Sequence, residues 1–208
     1  MTVTFRVNPA QLNRRAIQQA AAAIRDGKVI AIPTDTVYGL AADPFQPAAV
    51  REVFRLKGRP ENKPILLLVN SLQQVELLAA RLPEAFHSLA ARFWPGPLTL
   101  ILPAAPSVPD SITAGAGTVA VRLPGSILVR ELIGAAHVPL TGTSANRSGR
   151  PPSRSAAEVK QQFPSGLPLI LDGGPAPSGL PSTLVDLTGE PRIVREGAIP
   201  AMDVLSVV

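Results

Sequence analysis

Apolar positions recur at helical spacing over residues 11–25, and Gly27 stands where a chain leaving a helix commonly turns to positive φ. Residues 29–34, VIAIPT, form a buried run of strand length. Helical spacing returns over 47–56, where Val50, Val53 and Phe54 share a face and Pro47 is tolerated in the first turn. That helix delivers Lys57 and Arg59 at its exit. A second apolar run, PILLLV at 64–69, precedes helical patterns over 72–81 and 83–93. Strands are then predicted at 98–102 and 118–124, separated by a Pro/Ser/Gly-rich loop over 104–117. A helix over 127–135 leads into PLTGTS at 139–144, and a polar loop over 146–155 follows. The rest reads as a short helix and strands near 169–172, 183–187 and 192–195.

Strands alternate with helices in the first half and are interrupted by loops in the second, which predicts an α/β fold with one mixed sheet and flanking helices. A chain of 208 residues without repeats suits a single domain over 1–208. The absence of cysteine excludes disulfides, thiolate nucleophiles and cysteine-ligated metals from this chain. Only His87 and His137 remain as imidazoles, both read as structural, and no His/Asp/Glu cluster has ligand spacing. The metal to expect is therefore Mg²⁺ carried on phosphate oxygens. No signal-peptide core and no apolar window of roughly 18 residues appears, so the expected location is cytoplasmic, without a membrane span. The net charge of +5 points to anionic partners, a nucleotide, a nucleic acid or merely a solvated surface.

GxxxxGK[ST], GxGxxG and GxSxG are all missing. Polar residues gather instead where strands meet loops, the usual place for a site on an open α/β sheet. PTDTVYGL at 33–40 sends hydroxyls, a carboxylate and a phenol out of a strand, either to recognise a small polar ligand or to form a capped turn. LKGRPENKP concentrates Lys57, Arg59 and Lys63, either to neutralise a triphosphate or to decorate the negative end of a helix. TGTSANRSGRPPS places Ser144 and Asn146 where backbone could form an anion-binding concavity, or a plain capped turn. Arg122, Ser182 and Arg195 stand at predicted strand ends, where an arginine could grip a carboxylate or simply pair with a neighbouring acid. Phe93 and Trp94 of FWPGPLTL are expected to pack a core under a Pro-Gly turn.

Taken in order, PTDTVYGL, the Lys-x-Arg of LKGRPENKP, FWPGPLTLIL, TVAVRLP, TSANRSG, PSTLVDL and IVREG resemble the successive motifs of the YrdC/Sua5/TsaC family of threonylcarbamoyl-AMP synthases, over residues 31–197. The resemblance implies a twisted sheet around a large concave basic cavity, and a reaction joining L-threonine, bicarbonate and ATP for t⁶A at position 37 of tRNA. By the same resemblance Lys57, Arg59, Ser144, Asn146 and Arg195 contact ATP, together with Thr118 and Lys63. Thr36, Arg122 and Ser182 hold threonine, with Tyr38 lining its pocket. Lys57 and Arg59 are then the residues expected to stabilise the departing pyrophosphate.

The chain departs from the family pattern at Asp35, where Glu is frequent, at Leu68, where some two-domain members have His, and at Pro152, where Ser is frequent. It resembles the short, single-domain form, which implies separate partner proteins to carry the threonylcarbamoyl group to tRNA. Two rival readings use the same fold: a module binding double-stranded RNA or tRNA directly, and a paralogue acting on a related acyl-adenylate. Small hydroxyls at 36, 144 and 182 favour the synthase, since a backbone-binding face would carry more exposed aromatics or a longer basic stripe.

Overall fold

Residues 2–8 and 12–208 are described by a computed structural model. In chain order they form β1 (Val3–Arg6), α1 (Arg14–Arg25), β2 (Ile30–Ile32), β3 (Gly39–Ala41), α2 (Pro47–Lys57), β4 (Leu67–Leu68), α3 (Leu72–Leu78), α4 (Glu84–Phe93), β5 (Leu98–Pro103) and α5 (Asp110–Thr113). The second half supplies β6 (Thr118–Arg122), α6 (Ile127–Ala136), β7 (Leu140–Thr141), β8 (Thr143–Ser144), α7 (Ala156–Gln162), β9 (Leu169–Asp172), β10 (Thr183–Asp186), β11 (Arg192–Arg195) and α8 (Ala201–Leu205).

These strands build two mixed sheets where the pattern had suggested one. The first runs β1-β9-β2-β3-β8 and the second β11-β10-β5-β6-β4-β7. The physical cause lies at Gly142. Residues 139–144 read as one element, yet Leu140 and Thr141 pair antiparallel with β4 while Thr143 and Ser144 pair antiparallel with β3. Between them the Gly142 N–H donates to the Leu66 carbonyl at 2.7 Å, and a side chain there would meet Leu68 Cγ at 2.7 Å. Only a residue without Cβ lets the chain cross so close to β4. Thr141 fastens the crossing, its hydroxyl accepting from Ala42 N at 3.0 Å and donating to Leu40 O at 3.1 Å.

Two apolar clusters hold the layers. In one, Ala16, Ala20 and Ala21 keep the face of α1 thin, so that Ile17 and Ile24 meet Leu132 and Ile133 of α6 over Ile30, Ile32 and Leu171. Ile24 and Ile133 are wholly buried, and burying each such side chain is worth about 1.5–3 kcal/mol. The other cluster packs α2, α4 and the 38–42 segment against β5 and β6. Trp94 takes its expected place there, edge-on to Phe86 at 5.6 Å with its indole N–H donating to Leu98 O at 2.7 Å.

Other differences have local causes. The first helix starts at Arg14, where Asn13 Oδ1 accepts from Ala16 N at 3.1 Å; Gln11 lies outside the described residues. The helix expected over 72–81 stops at Leu78, because Ala79 turns extended and Ala80 N donates to Pro103 O. β1, β3, α5 and α8 occupy stretches read as loops or left unassigned, each too short to show a period. Among the described residues no helix is long and apolar enough to cross a membrane.

Candidate active site

One face of β5, β6 and β10 and the segments 36–37 and 142–144 line a cavity of about 510 Å³. Pro33 has no N–H to continue the ladder of β2, so the chain turns through residues 34–38 before β3. Thr34 Oγ1 organises that turn by accepting from Thr36 N at 3.1 Å and donating to Val37 O at 2.7 Å. Arg122 Nη1, which can only donate, lies 2.9 Å from Thr36 Oγ1. The Thr36 proton is thereby directed to Thr34 Oγ1, 2.9 Å away.

Arg122 closes β6 and is only 3% exposed. Its Nε donates to the Gly96 carbonyl at 2.9 Å, and its Nη2 lies 2.6 Å from Asp35 Oδ1. Burial depresses its pKa while the Asp35 charge opposes the shift, and a guanidinium remains charged under both influences. The Pro-Gly turn therefore does more than cap a core. Gly96 N donates to Leu123 O at 2.9 Å, and a Cβ on Gly96 would sit 2.3 Å from Phe93 O, so the turn that offers its carbonyl to Arg122 requires glycine.

On the facing wall Ser182 Oγ is 2.7 Å from Thr99 Oγ1, and Arg195 Nη2 donates to Ser182 O at 2.8 Å. Gly197 makes this approach possible, since a Cβ there would fall 2.3 Å from Pro181 O. Arg59 leaves α2 and donates from Nη2 to Pro64 O at 2.8 Å; Lys63 is exposed nearby. Desolvation lowers the pKa of both Arg59 and Arg195. The lining thus holds four cations, Arg59, Lys63, Arg122 and Arg195, with hydroxyls at Thr36, Thr99, Thr143, Ser144 and Ser182 and no carboxylate.

The structure brings Thr36, Arg59, Lys63, Arg122, Ser144, Ser182 and Arg195 to one cavity. Lys57, Asn146, Thr118 and Tyr38 do not line it. Lys57 Nζ donates to Ser144 O at 2.5 Å, to Asn146 O at 2.9 Å and towards Asn146 Oδ1 at 3.4 Å, which engages all three ammonium protons. Burial, and then the charge of Arg59, lower its pKa to about 8. The Asn146 carboxamide is likewise engaged, accepting from Ser144 Oγ at 2.5 Å and donating to Arg147 O and Arg150 O. Thr118 shares the face of Ala120 and Arg122 on β6 but lies two residues, ~7 Å along the strand, beyond Ala120. Tyr38 is wholly buried, with its hydroxyl donating to Gly174 O at 2.7 Å.

Sequence reasoning missed Thr99, the Gly96 carbonyl and the Asp35–Arg122 pair. A threonine inside the aliphatic run LTLIL was the available signal for Thr99; nothing local announced the other two. The loop over 146–155 is stitched down at Tyr38 N to Ser153 O, 2.9 Å, and at Gln162 Nε2 to Pro151 O, 2.9 Å. Among the described residues no group of three or more His, Cys, Asp or Glu could hold a metal ion.

A family model described as telomere recombination, that of the Sua5, YciO and YrdC proteins, matches residues 22–197. A threonylcarbamoyl-AMP synthase of Pyrococcus abyssi is 41% identical over 209 residues, covering 100% of this chain and 61% of that protein. Its counterpart in Bacillus subtilis is 38% identical over 198 residues, covering 94% of this chain and 57% of its own length. This chain thus spans about three fifths of these two relatives. The crystal structure of Pyrococcus abyssi Sua5 complexed with L-threonine superposes with a TM-score of 0.95 at 40% identity, over 100% of this chain and 61% of that one.

Proposed function

Given that the chain belongs to the Sua5/YciO/YrdC family, we propose that it is an L-threonylcarbamoyladenylate synthase, a nucleotidyltransferase making threonylcarbamoyl-AMP and pyrophosphate from L-threonine, bicarbonate and ATP. The observation that supports this most is the single cavity that gathers Arg59, Lys63, Arg122 and Arg195 with the hydroxyls of Thr36, Ser144 and Ser182. Cations of this kind suit a polyphosphate tail, and an arginine beside a threonine hydroxyl suits the carboxylate of an amino acid.

No protein nucleophile is needed. The threonine amine and bicarbonate yield a carbamate and water, and a carbamate oxygen attacks the α-phosphorus as the bond to pyrophosphate breaks. The protein's work is to set that oxygen in line and to meet charge as it moves onto the leaving group. Arg59 is our candidate for the second task, and Ser144 and Ser182 line the same cavity. Mg²⁺ enters as part of the nucleotide substrate. The product would serve t⁶A formation at position 37 of tRNA, in the cytoplasm, through partner proteins that transfer the threonylcarbamoyl group.

The test is incubation of the purified protein with Mg·ATP, bicarbonate and single amino acids, following pyrophosphate and product mass. Threonine-dependent pyrophosphate with a product of the threonylcarbamoyl-AMP mass is expected. Release that shows no preference for threonine rejects the substrate assignment.

A further inference from the structure

Of the four cations that line the cavity, only Arg122 forms an ion pair with a described residue. Arg59 and Arg195 spend one donor each on a neutral carbonyl and keep their full charge for a ligand. Arg122 instead meets Asp35 Oδ1 at 2.6 Å, so that the pair is close to neutral.

Asp35 does not reach the lining; it acts from behind Arg122. Its position depends on Gly125, where a Cβ would lie 3.0 Å from Asp35 Oδ2 and 3.3 Å from its Cγ. Gly125 has no positive φ, so the requirement there is space. The loop carrying it is held by Arg130 of α6, whose Nη1 donates to Pro124 O at 2.6 Å and Gly125 O at 3.0 Å.

We propose that Asp35 is a specificity-determining residue: by neutralising Arg122 it reserves that guanidinium for a zwitterion and leaves polyphosphate to the unpaired Arg59, Lys63 and Arg195. A buried guanidinium with no counter-ion attracts any anion, and the more strongly the more charge that anion carries. An amino acid has no net charge, so neutralising Arg122 costs it less than it costs a polyanion. A pyrophosphate or triphosphate loses most of its attraction to Arg122 once Asp35 offsets that charge. Without such a division a run of four cations would let the phosphate tail slide over the amino-acid site. This assignment rests on the proposed reaction for the identity of the two ligands.

The test is calorimetric titration of inorganic pyrophosphate into the whole protein, with and without saturating L-threonine. In the wild type both ligands are expected together, with the pyrophosphate Kd shifted less than twofold by threonine. In Asp35→Asn pyrophosphate binds at least tenfold more tightly alone, and threonine weakens it at least tenfold because both now compete for Arg122. Asp35→Glu, which retains the charge, stays close to the wild-type pattern. An Asp35→Asn protein that melts normally and still binds both ligands independently overturns the proposal. Should Asp35→Asn fail to fold, Gly125→Ala moves the carboxylate by its Cβ: a shift towards competition supports the assignment and an unchanged pattern rejects it. Failure of the underlying reading looks different, since the wild type would then bind no threonine and form no adenylate.

Discussion

The ammonium of Lys57 donates to the main-chain carbonyl of Ser144 at 2.5 Å, from outside the cavity that Ser144 itself lines. With Asn146 supplying the other two acceptors, Lys57 acts on a ligand through the 144–146 segment. Lys57→Met keeps the apolar stem but removes the donor to Asn146 O and one of two donors to each of Ser144 O and Asn146 Oδ1. On the proposed reaction turnover is expected to fall more than tenfold, equivalent to about 1.4 kcal/mol in the transition state. The melting temperature should fall with it, by about 2–4 °C per kcal/mol of stability lost at this size. A variant of normal stability that raises only the KM for ATP would show instead that Lys57 touches the nucleotide.

The same contacts give a pH dependence of opposite sign for stability and for activity. Burial, followed by the Arg59 charge, lowers the Lys57 pKa from 10.5 to about 8. Between those values the unfolded chain binds more protons than the folded one, so this group's contribution to stability rises with pH across the window and its penalty is fully present below about 8. The bonds to Ser144 and Asn146 run from the ammonium, and one donor is lost on deprotonation. Turnover should therefore decline as pH passes 8 while the Lys57 contribution to stability grows. Rate and melting profiles against Lys57→Met check this; identical profile shapes in the two proteins would exclude Lys57 as their source.

Arg59 differs from Lys57 in facing the cavity with donors to spare after its bond to Pro64 O. Arg59→Ala is expected to lower kcat/KM for ATP more than tenfold, with Arg59→Lys recovering part because a point charge replaces a planar fork. Initial rates with ATP varied at saturating threonine measure it. A loss confined to threonine affinity would mean that the triphosphate lies elsewhere.

How much of this could be read from the chain follows from how local each signal is. Arg122, Ser182 and Arg195 were legible because each stands at or beside the end of a strand, and Thr36 because it lies in the polar connection that leaves β2. Lys57 and Asn146 were legible as a cluster but not in direction. Their side chains turn towards each other only because the chain crosses between sheets at Gly142, and that crossing depends on contacts with Leu66 and Leu68 from a distant element. The second sheet was hidden for the same reason, since β4, β7 and β8 have two residues each, too few for a period. The Asp35–Arg122 pair joins residues 87 positions apart, a juxtaposition that no single-sequence pattern encodes.

Tyr38 separates a structural role from the ligand contact that resemblance implies. Its hydroxyl donates to Gly174 O at 2.7 Å and accepts from Gly173 N at 3.2 Å, and burial followed by the Asp172 charge raises its pKa to about 12. The loop it anchors continues to Gly179, whose N–H donates to Thr36 O at 2.9 Å, and then to Ser182 on the cavity wall. Tyr38→Phe removes only the hydroxyl, leaving the Gly173 and Gly174 backbone groups short of a partner. A stability loss of about 1–2 kcal/mol is expected, the scale of a buried hydrogen bond and its unsatisfied remnant. Threonine affinity should stay within twofold of the wild type, because the phenol does not reach the cavity. Thermal melts together with threonine titration decide the matter: a tenfold loss of affinity at unchanged melting temperature would put Tyr38 against the ligand after all.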